Sequence, residues 1–168
     1  IPFDQIYDCP SRGGLFDLPV YSVIRSTGEC ILSTKEGSLL KVSEEELEML
    51  LPRAEVKSRG LSSDKKARID PSWFFGFYNE APALNHQIMP RSVNIIYRTD
   101  KIFEPHIHLV SIDGNDAAFI KLTKGESGIV ALFDNDPVQC RVFHKSEIKD
   151  GKLRIHGVLL QSKRSFLY

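Results

Sequence analysis

The segment Glu104-Pro105-His106-Ile107-His108 places two imidazoles and a carboxylate within five residues. Successive residues of a strand point to opposite faces, so Glu104, His106 and His108 would share one face. A His-x-His pair beside a carboxylate is how cupin-type metal sites begin, and imidazole nitrogens suit zinc, iron, nickel or manganese. Asp113 would add a further carboxylate. Such a site also wants a Gly-rich turn and another His on a later strand, and His144 lacks that lead. Solvent-facing histidines on an alternating strand are the plainer expectation. A metal-dependent nuclease or hydrolase using Glu104, His106, His108 and Asp113 is the enzyme alternative.

Other catalytic patterns are broken or missing. Restriction-type nucleases set an Asp on one strand and an acidic-x-Lys on the next, to hold Mg²⁺ and activate water. Asp113 followed by Phe119-Ile120-Lys121 supplies the Asp and the Lys but has Phe where the acid belongs. No GxSxG, P-loop or known Cys-His motif occurs. The three cysteines, Cys9, Cys30 and Cys140, are far apart and form no CxxC pair, so a structural zinc site is not expected. They read as small buried or half-buried hydrophobes in a reducing compartment. No cofactor is expected.

Cations on short polar loops between strands are a different kind of chemistry. Arg and Lys hold phosphates, Arg reads guanine, and Asn or Gln reads adenine. Two loops qualify: Arg25-Ser26-Thr27-Gly28-Glu29 with Thr34-Lys35, and Arg98-Thr99-Asp100-Lys101. A basic stretch, Lys57, Arg59, Lys65, Lys66 and Arg68, could add backbone contacts. The net charge of +0, from 22 basic and 22 acidic residues, argues against a protein that coats nucleic acid non-specifically. It leaves room for a sequence-specific binder, because distribution matters more than the sum. The acidic residues gather at Glu44, Glu45, Glu46 and Glu48, and a second basic group lies at Lys152, Arg154, Lys163 and Arg164.

The elements that must position these residues are mostly strands. Residues 93–133 contain four apolar runs, Val93–Tyr97, Ile107–Val110, Ala117–Leu122 and Ile129–Phe133. Polar gaps with Asp113-Gly114 and Gly125 to Gly128 separate the later ones, which is a hairpin signal. An antiparallel meander is expected, with the other segments packing onto it. Upstream, Val20–Arg25, Cys30–Ser33 and Ser38–Val42 read as strands. Ser43 with Glu46 forms a capping box for a short helix carrying Leu47, Leu50 and Leu51, which Pro52 ends. Val56–Ile69 reads as a loop. Asp70-Pro71-Ser72 could cap a short helix, and Trp73–Tyr78 fits either a helix start or a strand. The aromatic run is also the basis of a further alternative, a protein-interaction module. Residues 79–91 read as a loop with Pro82 and Pro90, and Val138–His144 and Lys152–Leu160 as the last strands.

With 168 residues, 42% hydrophobic and 26% charged, the chain suits one domain. The expected organisation is an irregular arm over 1–19, a β-barrel core over 20–160 and a basic tail over 161–168. The fold class is mainly β (α+β): an open β-barrel, or pseudobarrel, of about seven to nine strands with one or two short helices. No apolar run approaches the roughly 20 residues that span a bilayer, and no signal-peptide pattern occurs, so a cytoplasmic location without membrane is expected. The first residue is Ile1 rather than Met, so a fragment or a processed product is expected.

Two stretches carry a resemblance. Gly37–Pro52, GSLLKVSEEELEMLLP, looks like a second strand and helix, and Asn115–Phe133, NDAAFIKLTKGESGIVALF, looks like a late hairpin. Together with the order of elements over residues 20–133, they resemble the DNA-recognition pseudobarrel of restriction endonucleases of the EcoRII and BfiI type. That domain is the prokaryotic relative of the plant B-three transcription-factor domain. The resemblance implies binding of double-stranded DNA in the major groove by two arms. By position these would be Arg25–Lys35 and the neighbourhood of Arg98–Lys101, with Lys57–Arg68 on the phosphates. It also implies a restriction or regulatory setting and a nuclease domain on the same or a partner chain. The segment 79–91 and the longer N-terminal arm depart from the family pattern.

Overall fold

The computed structural model describes residues 14–34, 38–61, 68–84, 87–103, 107–135 and 138–164. The architecture is the expected mainly-β one: a ten-stranded sheet that curls without closing. The strands are β1 Leu15–Ile24, β2 Cys30–Leu32, β3 Leu39–Ser43, β4 Phe74–Asn79, β5 Ser92–Arg98, β6 Ile107–Ile112, β7 Ala118–Lys124, β8 Gly128–Asn135, β9 Val138–His144 and β10 Leu153–Arg164. The helices are α1 Glu44–Leu50, α2 Arg53–Ser58 and α3 Lys145–Lys149, with a 3₁₀ turn at Pro71–Trp73. Along the sheet the order is β2-β1-β4-β5-β10-β6-β7-β8-β9, and β3 also pairs with β1. All pairings are antiparallel except β1 with β4.

The meander is real from β6 to β9 but does not begin at β5. The last strand, β10, lies between β5 and β6 and pairs with both. Arg98–Lys101 is therefore no hairpin turn; it starts a crossover past β10. Neighbours in sequence are neighbours in a sheet only about two-thirds of the time. Here β5, buried along all but its last residue, takes a partner on each edge, β4 and β10. At the β6–β7 turn the hairpin signal holds. Asp113 and Gly114 have φ of 53° and 81°, and Asn115 N–H donates to the Ile112 carbonyl at 3.0 Å, as a type I′ turn requires.

Four further expectations change. Leu15–Pro19 belongs to β1 rather than to an irregular arm, paired with β3 from Leu15↔Ser43 to Pro19↔Leu39. Val20 directs both its backbone groups toward Ser38 and Ser33, so the neighbouring Pro19 nitrogen points to the other edge, outside the β1–β3 ladder. Pro52 ends α1 but also starts α2: its carbonyl accepts the Glu55 and Val56 N–H groups, so part of the expected loop is helix. Trp73–Tyr78 resolves into the end of the 3₁₀ turn, capped by Asp70, followed by β4. Residues 161–164 continue β10 rather than opening a tail.

The core has three larger parts and a small fourth cluster of Val20, Tyr78 and Val93. On one face Leu18, Leu47, Phe74, Ile95, Tyr97 and Val158 pack beneath α1 and α2. On the other, Ile24, Phe75, Phe77, Ile96, Leu109 and Phe119 fill the curl of the sheet. Beyond β10, Val110, Leu122, Phe143 and Leu153 form the third cluster. Both faces of β4 and β5 are covered, which is why their apolar residues run on without alternation. Among the described residues no helix is long and apolar enough to cross a membrane.

Gly157 sits where β10 passes from β6 to β5. A Cβ there would meet the Ile96 side chain and come within 2.5 Å of the Tyr97 carbonyl oxygen. Gly157→Ala is expected to destabilise the fold by about 1–3 kcal/mol, the usual cost of overpacking. Urea denaturation, read as a lower midpoint at unchanged slope, checks this.

Candidate nucleic-acid interface

The two arms expected from the sequence meet at one cleft. The β1–β2 turn is closed by Arg25 N–H on the Glu29 carbonyl at 2.8 Å and Gly28 N–H on the Arg25 carbonyl at 2.8 Å. Gly28 takes a φ of 97°, which glycine adopts without strain. Arg25 grips Asp116 at 2.9 and 3.1 Å. Ala117 N–H donates to the Ile24 carbonyl at 2.8 Å, so the base of the turn is tied to the start of β7. From β5, Arg98 donates through Nε to the Ser72 carbonyl at 3.1 Å and stacks 4.6 Å above the Phe75 ring. Thr99 Oγ1 accepts the Lys101 N–H at 3.0 Å.

Between them lies a cleft of about 380 Å³. The turn contributes Gly28 and Cys30, the chain after β5 contributes Arg98, Thr99 and Asp100, and β10 contributes Arg154 and His156. The pairing Gly157↔Arg98 brings β10 here. Arg154 donates to the Ser26 carbonyl at 2.7 Å. Among the described residues no carboxylate lies within ion-pair distance of Arg98 or Arg154. Burial, and then the Arg154 charge, push the His156 imidazole down to about 4, so it is neutral near pH 7. Its Nε2 lies 2.8 Å from Ser111 Oγ. The positive charge of the cleft therefore comes from the arginines.

The other expected cations are elsewhere. Arg59 donates to the Tyr97 hydroxyl at 2.7 Å and lies 4.0 Å over the Trp73 ring. Tyr97 in turn donates to Glu55, whose carboxylate is also 3.9 Å from Lys101. Burial, and then the Glu55 hydrogen bond, push the Tyr97 phenol up to about 12. This network joins α2 to β5. Arg68 donates at 3.0 Å to Glu44, which is buried, and Lys163 reaches Glu46 at 3.0 Å. The glutamate run is thus partly a set of partners for the basic residues rather than a solvated face. Lys57 is exposed on α2, and Thr34, also exposed, lines a different cavity. Ser26 and Thr27 are in the β1–β2 turn, while Lys35, Lys65 and Lys66 fall outside the described residues.

Of the residues of the metal alternative, the two described ones, His108 and Asp113, are not brought together. Glu104 and His106 lie outside the described residues. His108 is fully buried, not solvent-facing, and its Nε2 accepts the Phe103 N–H at 3.1 Å. Asp113 is clasped by Arg141 at 2.6 and 3.2 Å, which holds its carboxyl below the usual range. These two are at opposite ends of β6, roughly 16 Å apart at the rise of a strand. Among the described residues no group of three or more His, Cys, Asp or Glu could hold a metal. Phe74–Tyr78 are buried, as a core segment would be. Cys140 is exposed and Cys30 half-buried.

Arg154 and His156 were missed as site residues because their place depends on β10 lying beside β5. No local signal in the sequence announces that. Compared with known proteins, the chain matches no family model, and no curated sequence matches it significantly.

The neutral His156 gives a pH dependence. Its folded pKa lies below the ordinary 6.5, so between about 4 and 6.5 the unfolded chain binds more protons. The stabilising contribution is complete above pH 6.5 and is lost as pH falls toward 4. Thermal melts from pH 7.5 to 4.5 are expected to fall less steeply in His156→Gln than in the unsubstituted protein.

Proposed function

We propose that this chain is a sequence-specific double-stranded DNA-binding module, non-catalytic in itself, belonging to a restriction or regulatory protein of the cytoplasm. The observation that supports this best is the convergence of the two polar arms on a cleft holding two arginines that, among the described residues, have no carboxylate partner. Such guanidiniums are the groups that hold phosphates and read guanine. The open mainly-β fold with small capping helices is in keeping with the resemblance to the B-three-like pseudobarrel.

In this reading Arg98 and Arg154 make the charged contacts. Ser26, Thr27 and Thr99 supply hydroxyls at the rim, and Asp100 disfavours misplaced phosphates. Arg25 acts through Asp116, setting the direction of the turn, and Lys57 offers a further exposed cation. Arg59, Arg68 and Lys101 act indirectly, by holding α1 and α2 against the sheet. A nuclease domain, on this chain's own protein or a partner, would supply the chemistry.

The test is fluorescence anisotropy with a pool of random duplexes at two salt concentrations. Affinity is expected to fall as salt rises, with a slope of about −0.9 per phosphate neutralised. Arg98→Ala and Arg154→Ala are each expected to weaken binding and to reduce the slope by about one. Absence of binding at low salt, or binding indifferent to both substitutions, would overturn the proposal.

A further inference from the structure

Another cavity, of about 450 Å³, adjoins the arm cleft, and the two share Asp100, Arg154 and Ile155. The rest of its lining is aliphatic: Ile129 from β8, Ile148 from α3 and Leu153 from β10. These side chains belong to the third core cluster, of which Ile129, Ile148 and Ile155 are only half-buried. The cluster therefore presents apolar surface from three separate elements to one concave space. Its two polar lining groups carry opposite charges. Arg154 donates through Nη1 to the Ser26 carbonyl at 2.7 Å, and among the described residues its Nε and Nη2 have no partner. Those two nitrogens form one edge of the guanidinium, the fork that meets both oxygens of a carboxylate. Asp100 is exposed, and among the described residues its carboxylate has no partner either. An acid and a base thus line the same space without forming an ion pair with each other.

We propose that this cavity binds a free aliphatic α-amino acid with a branched side chain, such as leucine. Arg154 takes the α-carboxylate, Asp100 takes the α-ammonium, and Ile129, Ile148 and Leu153 surround the side chain. A lining that is mostly apolar, with a few convergent polar groups, is the usual form of a small-molecule site. Here the polar groups select the class of ligand. A phosphate or a simple carboxylate would set a like charge against Asp100, and a simple amine would do the same against Arg154. A zwitterion matches both charges at once. The aliphatic walls then favour a branched hydrocarbon side chain over a polar one, whose groups would be desolvated without partners. The site does not rest on the DNA reading, because its ligand is a small zwitterion and no duplex is required.

Amide chemical shifts followed during titration with leucine, alanine and 4-methylpentanoate, which is leucine without its amino group, test this. Saturable shifts at Asp100, Ile129, Ile148 and Arg154 are expected with leucine at millimolar concentration. Alanine and 4-methylpentanoate are each expected to bind at least tenfold more weakly. Asp100→Asn is expected to weaken leucine tenfold or more and to leave the urea midpoint unchanged, since Asp100 holds no other described group. The same substitution is expected not to weaken 4-methylpentanoate, which has no ammonium to lose. No saturable shift with leucine, or equal binding of leucine in Asp100→Asn, would overturn the proposal. Equal binding of 4-methylpentanoate and leucine would place recognition at the carboxylate alone and contradict it. Equal binding of alanine and leucine would mean that the isoleucines are not a side-chain pocket, which also contradicts it.

Discussion

The rest of the structure depends on β10 passing between β5 and β6. It contributes Val158 to the cluster under the helices, Leu159 to the packing inside the curl, and Leu153 to the third cluster. Two irregularities, between Ile155 and Gly157 and between Leu159 and Gln161, let one strand serve both neighbours. Bulges of this kind bend a strand and re-aim its side chains. Gly157 lies between them, where there is no room for a Cβ. The same passage delivers Arg154 and His156 to the cleft between the arms. Architecture and site therefore share one constraint.

Charge follows a similar economy. A net charge of zero does not mean a featureless surface. Glu44 with Arg68, Glu46 with Lys163, Asp113 with Arg141 and Arg25 with Asp116 are internal pairs that tie elements together. Apart from the buried Glu44, their side chains are a third or more exposed, so water and salt screen them and each pair contributes little stability. The buried Glu55–Tyr97–Arg59 group is different: its members satisfy one another in a setting where an unpaired charge would be costly. Once these pairs are set aside, Arg98 and Arg154 stand out as cations facing a cleft in which, among the described residues, no carboxylate lies within ion-pair distance of them.

The strands were legible as short apolar runs bounded by polar turns, as in Ile107–Val110, although in β9 the alternating Cys140 and Val142 are exposed and Phe143 is the buried residue. The Ser43 cap and the Asp113-Gly114 turn were legible because each needs a particular side chain at one place; the turn formed, and Ser43 caps the Glu46 N–H, but the other half of the capping box did not form, because the Glu46 carboxylate goes to Lys163. The position of β10 was not, since pairing over some sixty residues leaves no local mark (Gly157 faces Arg98). Nor was the burial of His108, which alternates like a surface residue but is fully buried on β6 between its neighbours β10 and β7. The second helix was hidden behind Pro52, which reads as a stop and here is also a start. The arms themselves were found from composition alone; that they share a cleft depends on long-range pairing.

The most direct test of that shared cleft is a titration of the ¹⁵N-labelled protein with a short duplex at low salt. The expected result is a set of amide shifts that includes residues 25–29, 98–100 and 154–156 together, three segments joined only by the fold. Shifts in one of these segments without the others, or shifts confined to the β9 edge, would contradict the account.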